Sequence, residues 1–277
     1  MKIFNSSKGI LLQHDQKWTL CLDTDWDELL NREGLYQHLL QIHAVLPRLP
    51  EADSASSEYL PPMKGQELWA SGVTYLRSKV ERQEESKGAG GGDFYQKVYE
   101  AERPELFFKG TRHRVVGHGG KVRIRADSTW NVPEPELTLV LNRRGEIVGY
   151  TVGNDMSSRS IEGENPLYLS QAKIYDGSAA LGPCVFVPEG RFPADATITL
   201  AISRGQQIAF TGSVPVSMIT RRFEDLAAYL FRECSFPNGA LLMTGTGIVP
   251  PAPFTLQSGD VISITIDHIG CLINPVA

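Results

Sequence analysis

Two glutamates flank a single proline in the stretch "NVPEPELTLVL", residues 131–141, and an apolar run follows at once. Residues two apart on a β-strand point to the same face, so Glu134 and Glu136 would share one face while Pro135 points away. Pro135 has no N–H to donate to a sheet, which favours an irregular strand start or an edge strand. Two acidic side chains on one face of an otherwise apolar strand therefore indicate a candidate site.

A third carboxylate is expected to join them through a β-hairpin. The segment "NRRGE", residues 142–146, is typical of a hairpin turn, and the apolar strand ending in "GYTVGND" follows it. A turn centred on the two arginines would place Glu136 opposite Thr151. Asp155 would then lie on the face of the glutamates, about 7 Å beyond the partner of Glu134. The spacing thus predicts that three carboxylates converge at one end of a hairpin.

Three carboxylates this close repel one another unless a cation compensates their charge. Oxygen ligands suit Mg²⁺, and also Mn²⁺ or Ca²⁺, and no neighbouring histidine or cysteine indicates zinc. Three acidic ligands would leave about three octahedral positions for water and substrate, as in a catalytic centre. The alternative is that the glutamates are solvated at the rim of the sheet. A turn shifted by one residue would also move Asp155 to the other face.

The composition of the chain argues against several classes of protein. Its 277 residues suffice for one large domain, or for one with a small appendage. A formal net charge of -5 gives no electrostatic reason to expect nucleic acid or an anionic membrane as a partner. We expect no membrane helix and no signal peptide, since the chain lacks a suitable apolar run. Four scattered cysteines are typical of thiols in a reducing compartment, so we expect a cytoplasmic protein.

The pattern of elements predicts an α+β fold that is predominantly β. Residues 1–62 are predicted to form a small N-terminal α/β domain with a helix capped by Asp25 or Asp27, and residues 63–277 a larger catalytic domain. After Pro104 most segments are typical of strands, and "FEDLAAYLFREC" is the one convincing late helix. The predicted strands are "LFFKG", "KVRIRA", "ELTLVLN", "EIVGYTVGND", "PCVFVP", "TITLAISR", "QIAFTGSV" and "DVISITIDHIG".

A candidate lid, about residues 74–100, lies near the start of the larger domain. The charged stretch "TYLRSKVERQEESK" favours a helix, the glycines of "GAGGG" interrupt it, and "DFYQKVYEAERP" favours a second helix. A disordered surface loop is the alternative interpretation. The functional interpretation is a segment that closes over a bound substrate.

The motifs "EPEL", "GYTVGNDMSSR", "AKIYDGSAALGP" and "TGTG" together resemble the fumarylacetoacetate hydrolase family over about residues 69–271. The resemblance implies that family's mixed β-sandwich roll, with a metal ion in a cleft near its mouth. It also implies that the metal ligands are Glu134, Glu136 and Asp155. Lys173 and Thr246 match family positions that contact substrate, and Arg159 of "SSR" is expected to support the site.

The lid sequence departs from the hydrolytic members of that family. Those members carry a histidine and a glutamate that activate water for carbon–carbon cleavage. This chain keeps Tyr75 and Glu81, but Ser78 stands at the histidine position. A serine cannot serve as a general base near neutral pH, so hydrolysis by the usual pair is not expected. Ser78 and Glu81 are instead placed among the substrate-binding residues.

Other motifs resemble a branch of the family that dehydrates 2-keto-3-deoxy sugar acids in pentose catabolism. These motifs are "ASGVTYLRS", "VYEAERPELFFK" and "NDMSSRSIEGENPLYLSQAK". The resemblance implies an Mg²⁺-dependent lyase that converts 2-keto-3-deoxy-D-arabinonate to 2,5-dioxopentanoate. Glu105 and Lys173 are the candidates for the base and the acid, in an order that the sequence leaves open. Glu105 could equally be a surface carboxylate, and Lys173 could bind the substrate carboxylate instead. Lys109 is a further candidate for an anion contact.

Two other functions remain open at this point. A metal-dependent acylpyruvate or fumarylacetoacetate-type hydrolase, or an oxaloacetate decarboxylase, would share the fold and the metal. A non-catalytic sugar-acid binding protein would share only the fold. In each case the partner is a small 2-keto acid, and the resemblance implies a homodimer or homotetramer.

Overall fold

The computed structural model describes residues 1–51, 58–75 and 97–277. The predicted lid, about residues 74–100, falls mostly outside these ranges, as do the predicted substrate contacts Ser78 and Glu81.

The N-terminal part of the chain forms short strands and two helices: β1 (Lys2–Ser6), β2 (Gly9–His14), β3 (Lys17–Cys21), α1 (Trp26–Leu30), α2 (Leu35–Val45) and β4 (Arg48–Leu49). Asp25 caps α1, since its carboxylate accepts from the amides of Asp27 and Glu28. One of the two predicted caps is thereby confirmed.

The middle of the chain contributes β5 (Glu67–Gly72), β6 (Glu105–Gly110), β7 (Val115–Val116), β8 (Asn131–Val132), β9 (Pro135–Leu141), β10 (Ile147–Asp155), β11 (Ser157–Ser158) and β12 (Ala179–Phe186). Between β11 and β12 lie α3 (Arg159–Glu164) and α4 (Leu169–Lys173). The C-terminal part adds β13 (Thr197–Arg204), β14 (Gln207–Pro215), α5 (Phe223–Leu230), β15 (Ala240–Met243), β16 (Val261–Ile266) and β17 (Gly270–Pro275).

A large mixed sheet organises the described residues. Its strand order is β4-β3-β2-β1-β12-β10-β9-β15-β5-β6, and β7 pairs with β12 alongside this path. A second sheet has the order β14-β13-β16-β17, and β8 pairs with β11. The predominantly β class is therefore confirmed. Because β1 pairs with β12, the N-terminal strands continue the large sheet; the division of the chain at residue 62 stays a prediction.

Strand β9 is buried along its whole length, because apolar residues cover both faces of the large sheet at this point. Leu137, Leu139 and Leu141 pack into the core shared with the four-stranded sheet. Val140 points the other way, into a second core that also receives the helices α1 and α2. Glu136 and Thr138 have the same parity as Val140, so Glu136 lies on this second face.

One predicted strand is wrong. The segment "KVRIRA" alternates like a strand, but in the structure it forms only an isolated bridge between Val122 and Val276. Its backbone amides bond to two different partners in succession. The Val122 amide donates to the Pro275 carbonyl, and the Arg123 amide donates to the Gly177 carbonyl. A segment that changes partner after one residue cannot build a ladder, although its side chains alternate.

The predicted late helix is confirmed as α5, which buries Leu226, Ala227 and Leu230 on one face. Among the residues that the structure describes, no helix is long and apolar enough to cross a membrane.

The start of β16 is held by an ion pair that gives stability a defined pH dependence. Arg204 donates two hydrogen bonds of 2.8 Å to Asp260, whose carboxylate also accepts from the Gln257 amide. Burial alone would raise the pKa of Asp260, but these bonds and the charge of Arg204 hold that pKa below its usual value. The stabilisation is therefore present above the pKa of an unfolded aspartate, about 3.9, and is lost as the pH falls through the folded pKa.

We accordingly expect Asp260→Asn to destabilise the protein at pH 7, and the difference from the natural protein to shrink below about pH 4. Urea unfolding at pH 7, 5 and 3.5 measures this. Asp195→Asn, at an exposed aspartate, is the control and should change little. A difference that stays constant over the whole pH range would contradict the assigned role of the carboxylate.

Candidate metal centre

The structure brings Glu134, Glu136 and Asp155 together as the sequence predicts. One carboxylate oxygen of each lies within 4.8 Å of the other two, and all three residues are buried. The alternative of solvated rim residues is therefore wrong, since each residue is at most 2% exposed.

The predicted hairpin register, in contrast, is wrong by two residues. Glu136 lies opposite Gly153, and the Asp155 amide donates to the Glu134 carbonyl, at 2.9 Å. One extra residue comes from the five-residue turn 142–146 and the other from a bulge after Ile147. A shift of two leaves every side chain on its predicted face. The carboxylates are therefore closer than predicted, because Asp155 faces Glu134 directly.

Proline and glycine make this end of the hairpin possible. Pro135 is the first residue of β9, where the missing N–H is tolerated, although β9 lies inside the sheet and is not an edge strand. Gly153 faces Glu136, and a Cβ at that position would collide with the Thr138 hydroxyl and lie 3.0 Å from the Met243 methyl group. The glycine therefore leaves room for the side chains of Thr138 and Met243.

Among the described residues, three buried cations surround the carboxylates. The Lys173 ammonium lies 2.5 Å from Glu134 Oε2 and 2.9 Å from Asp155 Oδ2. The Lys109 ammonium lies 2.6 Å from Asp155 Oδ1, and Arg159 Nη2 lies 2.6 Å from Glu134 Oε1. The side chains of these cations are at most 2% exposed. Protein groups thus supply much of the charge compensation that the sequence argument assigned to a metal ion.

The two lysines are also fixed by the surrounding chain. Lys109 donates to the carbonyls of Met156, at 3.1 Å, and of Lys173. Lys173 donates to Ser157 Oγ at 2.5 Å and ends α4. Lys109 therefore lies behind Asp155, with its ammonium directed at the backbone that carries Lys173.

Glu136 differs from the other two carboxylates in its partner. Its Oε2 accepts the Gly245 amide at 2.6 Å. Burial raises the pKa of Glu136 well above its usual value, and the charges of Asp155 and Glu134 add to that effect. Burial lowers the pKa of the Lys109 ammonium, although the negative charge of Asp155 acts to raise it. Of the three carboxylates, Glu136 is thus the one least compensated by cations of the described part of the chain.

The amide that binds Glu136 belongs to the loop after β15, where Gly245 has a φ of 89°. Only glycine adopts this region readily. A Cβ here would also lie 3.0 Å from the Ser71 carbonyl oxygen and would collide with the Thr74 hydroxyl. Glycine is therefore required for both conformation and space.

The facing turn after β5 stores backbone strain. Val73 has a φ of 54°, which is rare for a β-branched residue. Hydrogen bonds hold the turn in place: Thr74 Oγ1 donates to the Thr244 carbonyl at 2.6 Å, and Thr220 donates to the Thr74 carbonyl from its amide and its hydroxyl. Strained residues of this kind concentrate at functional sites.

The other predicted site residues have distinct places. Thr246 lines the cavity that holds the carboxylates, and its hydroxyl donates to the Ile248 carbonyl. Glu105 begins β6, opposite Gly72 at the end of β5.

Tyr75 is buried, and this burial, with the charge of Glu136, raises the pKa of its phenol. Ser78 and Glu81 lie outside the described residues.

Several residues of the site were not predicted from the sequence. Ser157 binds Lys173, and Phe107 lines the cavity. Both lie two residues from a residue that was singled out, Asp155 and Lys109 respectively, so strand alternation could have identified them. Gly72 and Gly245 lie in the motifs "ASGVTYLRS" and "TGTG", but the contacts that require a glycine there involve residues distant in sequence.

The donor set fits a hard divalent ion. The clustered ligand atoms are carboxylate oxygens, which suit Mg²⁺, Mn²⁺ or Ca²⁺ better than zinc. Fold and site thus define a predominantly β protein with a buried, oxygen-lined candidate metal centre.

Comparison with known families agrees with this class. The family model described as "Fumarylacetoacetate (FAA) hydrolase C-terminal" matches residues 68–277. This chain belongs to the fumarylacetoacetate hydrolase family. The match begins and ends close to the limits expected from the motifs, and the predicted family fold is confirmed.

Two curated relatives are dehydratases by name. The chain is 49% identical over 216 residues to the probable 2-keto-3-deoxyxylonate dehydratase of Haloferax volcanii, covering 78% of this chain and 73% of the relative. It is 44% identical over 217 residues, with the same coverage, to the 2-dehydro-3-deoxy-D-arabinonate dehydratase of Saccharolobus solfataricus.

A solved structure extends the similarity to the whole chain. It is a 2-keto-3-deoxy-D-arabinonate dehydratase complexed with magnesium and 2,5-dioxopentanoate. The TM-score is 0.86 at 36% identity, over 100% of this chain and 98% of that one.

The bond from Gly245 to Glu136 leads to a prediction about the centre. Gly245→Ala should weaken divalent-ion binding about 10- to 100-fold, because the amide that orients Glu136 moves. The same change should lower the free energy of unfolding by about 1–3 kcal/mol. Isothermal titration with Mg²⁺ and urea unfolding measure the two effects.

Gly190→Ala is the matched control, since an added methyl group there meets no atom within 4 Å. Ion binding by Gly245→Ala equal to that of the control would show that the Gly245 amide does not orient the centre.

Proposed function

We propose that this protein is a Mg²⁺-dependent hydro-lyase that dehydrates a 2-keto-3-deoxy pentonate, 2-keto-3-deoxy-D-arabinonate, to 2,5-dioxopentanoate. The observation that carries the proposal is the buried carboxylate triad, in a chain similar over its full length to a dehydratase complexed with magnesium and that compound.

Glu134, Glu136 and Asp155 would hold the ion. A bound Mg²⁺ supplies a Lewis acid that polarises the keto group of a 2-keto acid and acidifies its C3 protons. Lys109, Lys173 and Arg159 already share the negative charge of the triad, as their ion pairs indicate. A divalent ion in this cluster therefore leaves positive charge facing the cavity, which favours the carboxylate of the substrate.

The reaction needs a base for one C3 proton and an acid for the C4 hydroxyl, so that the two groups leave together as water. A proton shift from C5 to C3 of the unsaturated product gives an enol with its double bond between C4 and C5. Transfer of the enol O–H proton to C4 then gives the C5 aldehyde. Lys173 reaches the triad and Glu105 stands at the end of the neighbouring strand pair, so these two residues are our candidates. A positioned acid or base contributes about 100- to 10,000-fold to such a step.

The remaining predicted residues divide between support and substrate contact. Arg159 orients Glu134 and also lines the cavity, whereas Lys109 holds Asp155 and the backbone of Lys173 from behind. Thr246 lines the cavity and is available to the substrate. Ser78 and Glu81 stay predictions from the sequence for contacts with substrate.

We further propose a cytoplasmic enzyme that works as a homodimer or homotetramer. All four cysteines are free, which fits a reducing compartment. The oligomeric state follows from family resemblance alone, and sedimentation measures it directly.

The proposed function predicts a specific product. Purified protein with Mg²⁺ should convert 2-keto-3-deoxy-D-arabinonate to 2,5-dioxopentanoate, and EDTA should abolish the reaction until Mg²⁺ is restored. A panel of 2-keto-3-deoxy pentonates and hexonates, followed by mass spectrometry, measures this. Pyruvate with glycolaldehyde would indicate aldol cleavage and defeat the proposal, and turnover of acylpyruvates alone would assign hydrolysis instead.

Two isosteric variants should separate metal binding from proton transfer. Glu136→Gln should lose both Mg²⁺ affinity and turnover, because it removes one anionic ligand. Glu105→Gln should keep Mg²⁺ affinity and lower kcat by at least about 100-fold. Titration calorimetry and steady-state kinetics measure the two quantities, with exposed Glu189→Gln as the control. Turnover by Glu136→Gln at the natural rate would remove the triad from the mechanism.

A further inference from the structure

Gly72 and Glu105 form the last pair of the β5–β6 ladder, directly opposite one another. Gly72 lines the cavity that contains the three carboxylates, and its neighbours Ser71 and Val73 line it too. Side chains two apart on β6 share a face, and Phe107 on that face also lines the cavity. Glu105 therefore starts from the strand end that borders the carboxylates, with its side chain on the cavity face of β6.

The carboxylate of Glu105 lies across the position where a side chain on Gly72 would begin. A Cβ built on Gly72 would be 2.6 Å from Glu105 Cδ and would collide with Oε2. Oε2 itself is buried. Real Cβ atoms essentially never approach another heavy atom so closely, so a side chain at position 72 would force the Glu105 carboxylate, the far end of a flexible side chain, to move.

Backbone conformation does not explain this glycine. Gly72 is not among the residues with positive φ, in contrast to Gly245 nearby. Any residue can therefore adopt its backbone conformation without strain. What position 72 requires is empty space, and the Glu105 carboxylate takes that space.

We propose that Gly72 is a positioning residue, whose missing side chain lets the Glu105 carboxylate lie over the end of β5 at the border of the metal centre. The proposal rests on the proposed function, in which Glu105 takes part in proton transfer. It assigns Gly72 a role in the rate of that step and none in ion binding, because its contact is with Glu105.

The contact is tested first without substrate or metal, by a double-mutant cycle on thermal stability. Gly72→Ala should lower the melting temperature by roughly 2–8 °C, because the methyl group displaces the carboxylate. In the Glu105→Ala background the same change should cost less than about 1 °C, since the obstructing group is gone. Gly190→Ala, which adds a methyl group in open space, is the matched control.

The role is tested next by kinetics on 2-keto-3-deoxy-D-arabinonate. Gly72→Ala should lower kcat by about 10- to 100-fold, because a displacement of about 1 Å has effects of this size. Its Mg²⁺ affinity should stay within about twofold of the natural protein, since the three atoms nearest the added Cβ all belong to Glu105. In the Glu105→Ala background the further loss of kcat should disappear, which a general loss of structure would not reproduce.

Distinct outcomes separate the two proposals. A wild-type protein that dehydrates the substrate while Gly72→Ala keeps its kcat overturns the positioning role, as does a stability loss that persists in the Glu105→Ala background. A wild-type protein that converts none of the sugar acids overturns the proposed function, and with it the catalytic role given to Gly72. The stability cycle then still decides whether the steric contact exists.

Discussion

The structure of the centre depends on holding three ionisable carboxylates together in the interior of the protein. Like charges in a poorly solvated place raise one another's pKa, and removing one member of a buried ion pair typically costs about 3–5 kcal/mol. In the structure, the negative charge is compensated by ion pairs with Lys109 from β6, Lys173 from the end of α4 and Arg159 from the start of α3. Strand β6 and the helical segment that follows β11 must therefore both meet at one hairpin before the acidic cluster can form.

Much of this arrangement could be predicted from local patterns. Alternation along a strand placed Glu134, Glu136 and Asp155 on one face, because the side-chain period of a strand depends on no tertiary contact. Most strands were predicted from the same alternation, and the helix α5 from apolar residues at helical spacing. The failed strand "KVRIRA" shows the limit, since alternation describes the side chains while a ladder depends on where the partner backbones lie.

Other features of the site could not be predicted, because they depend on contacts between residues that are distant in sequence. A sequence does not show that the Gly245 amide meets Glu136, or that Glu105 covers Gly72. Nor does it show that Lys109, expected as an anion contact, faces Asp155 and two backbone carbonyls. The family resemblance predicted which residues form the site, and the distances show which groups each of the described residues contacts.

The hairpin between β9 and β10 contains two one-residue irregularities, one in its turn and one just after Ile147. Together they shift the pairing by two residues, so each side chain stays on the same face of the sheet. Within the paired residues, chain length is therefore subject to an even-number rule. A one-residue shift in the pairing of β9 with β10 would carry Asp155 to the opposite side of the sheet, whereas a shift of two leaves it on the same side. Over evolutionary time, the paired residues should therefore change in number by two, or by one with a compensating bulge, whereas the exposed turn can change length freely.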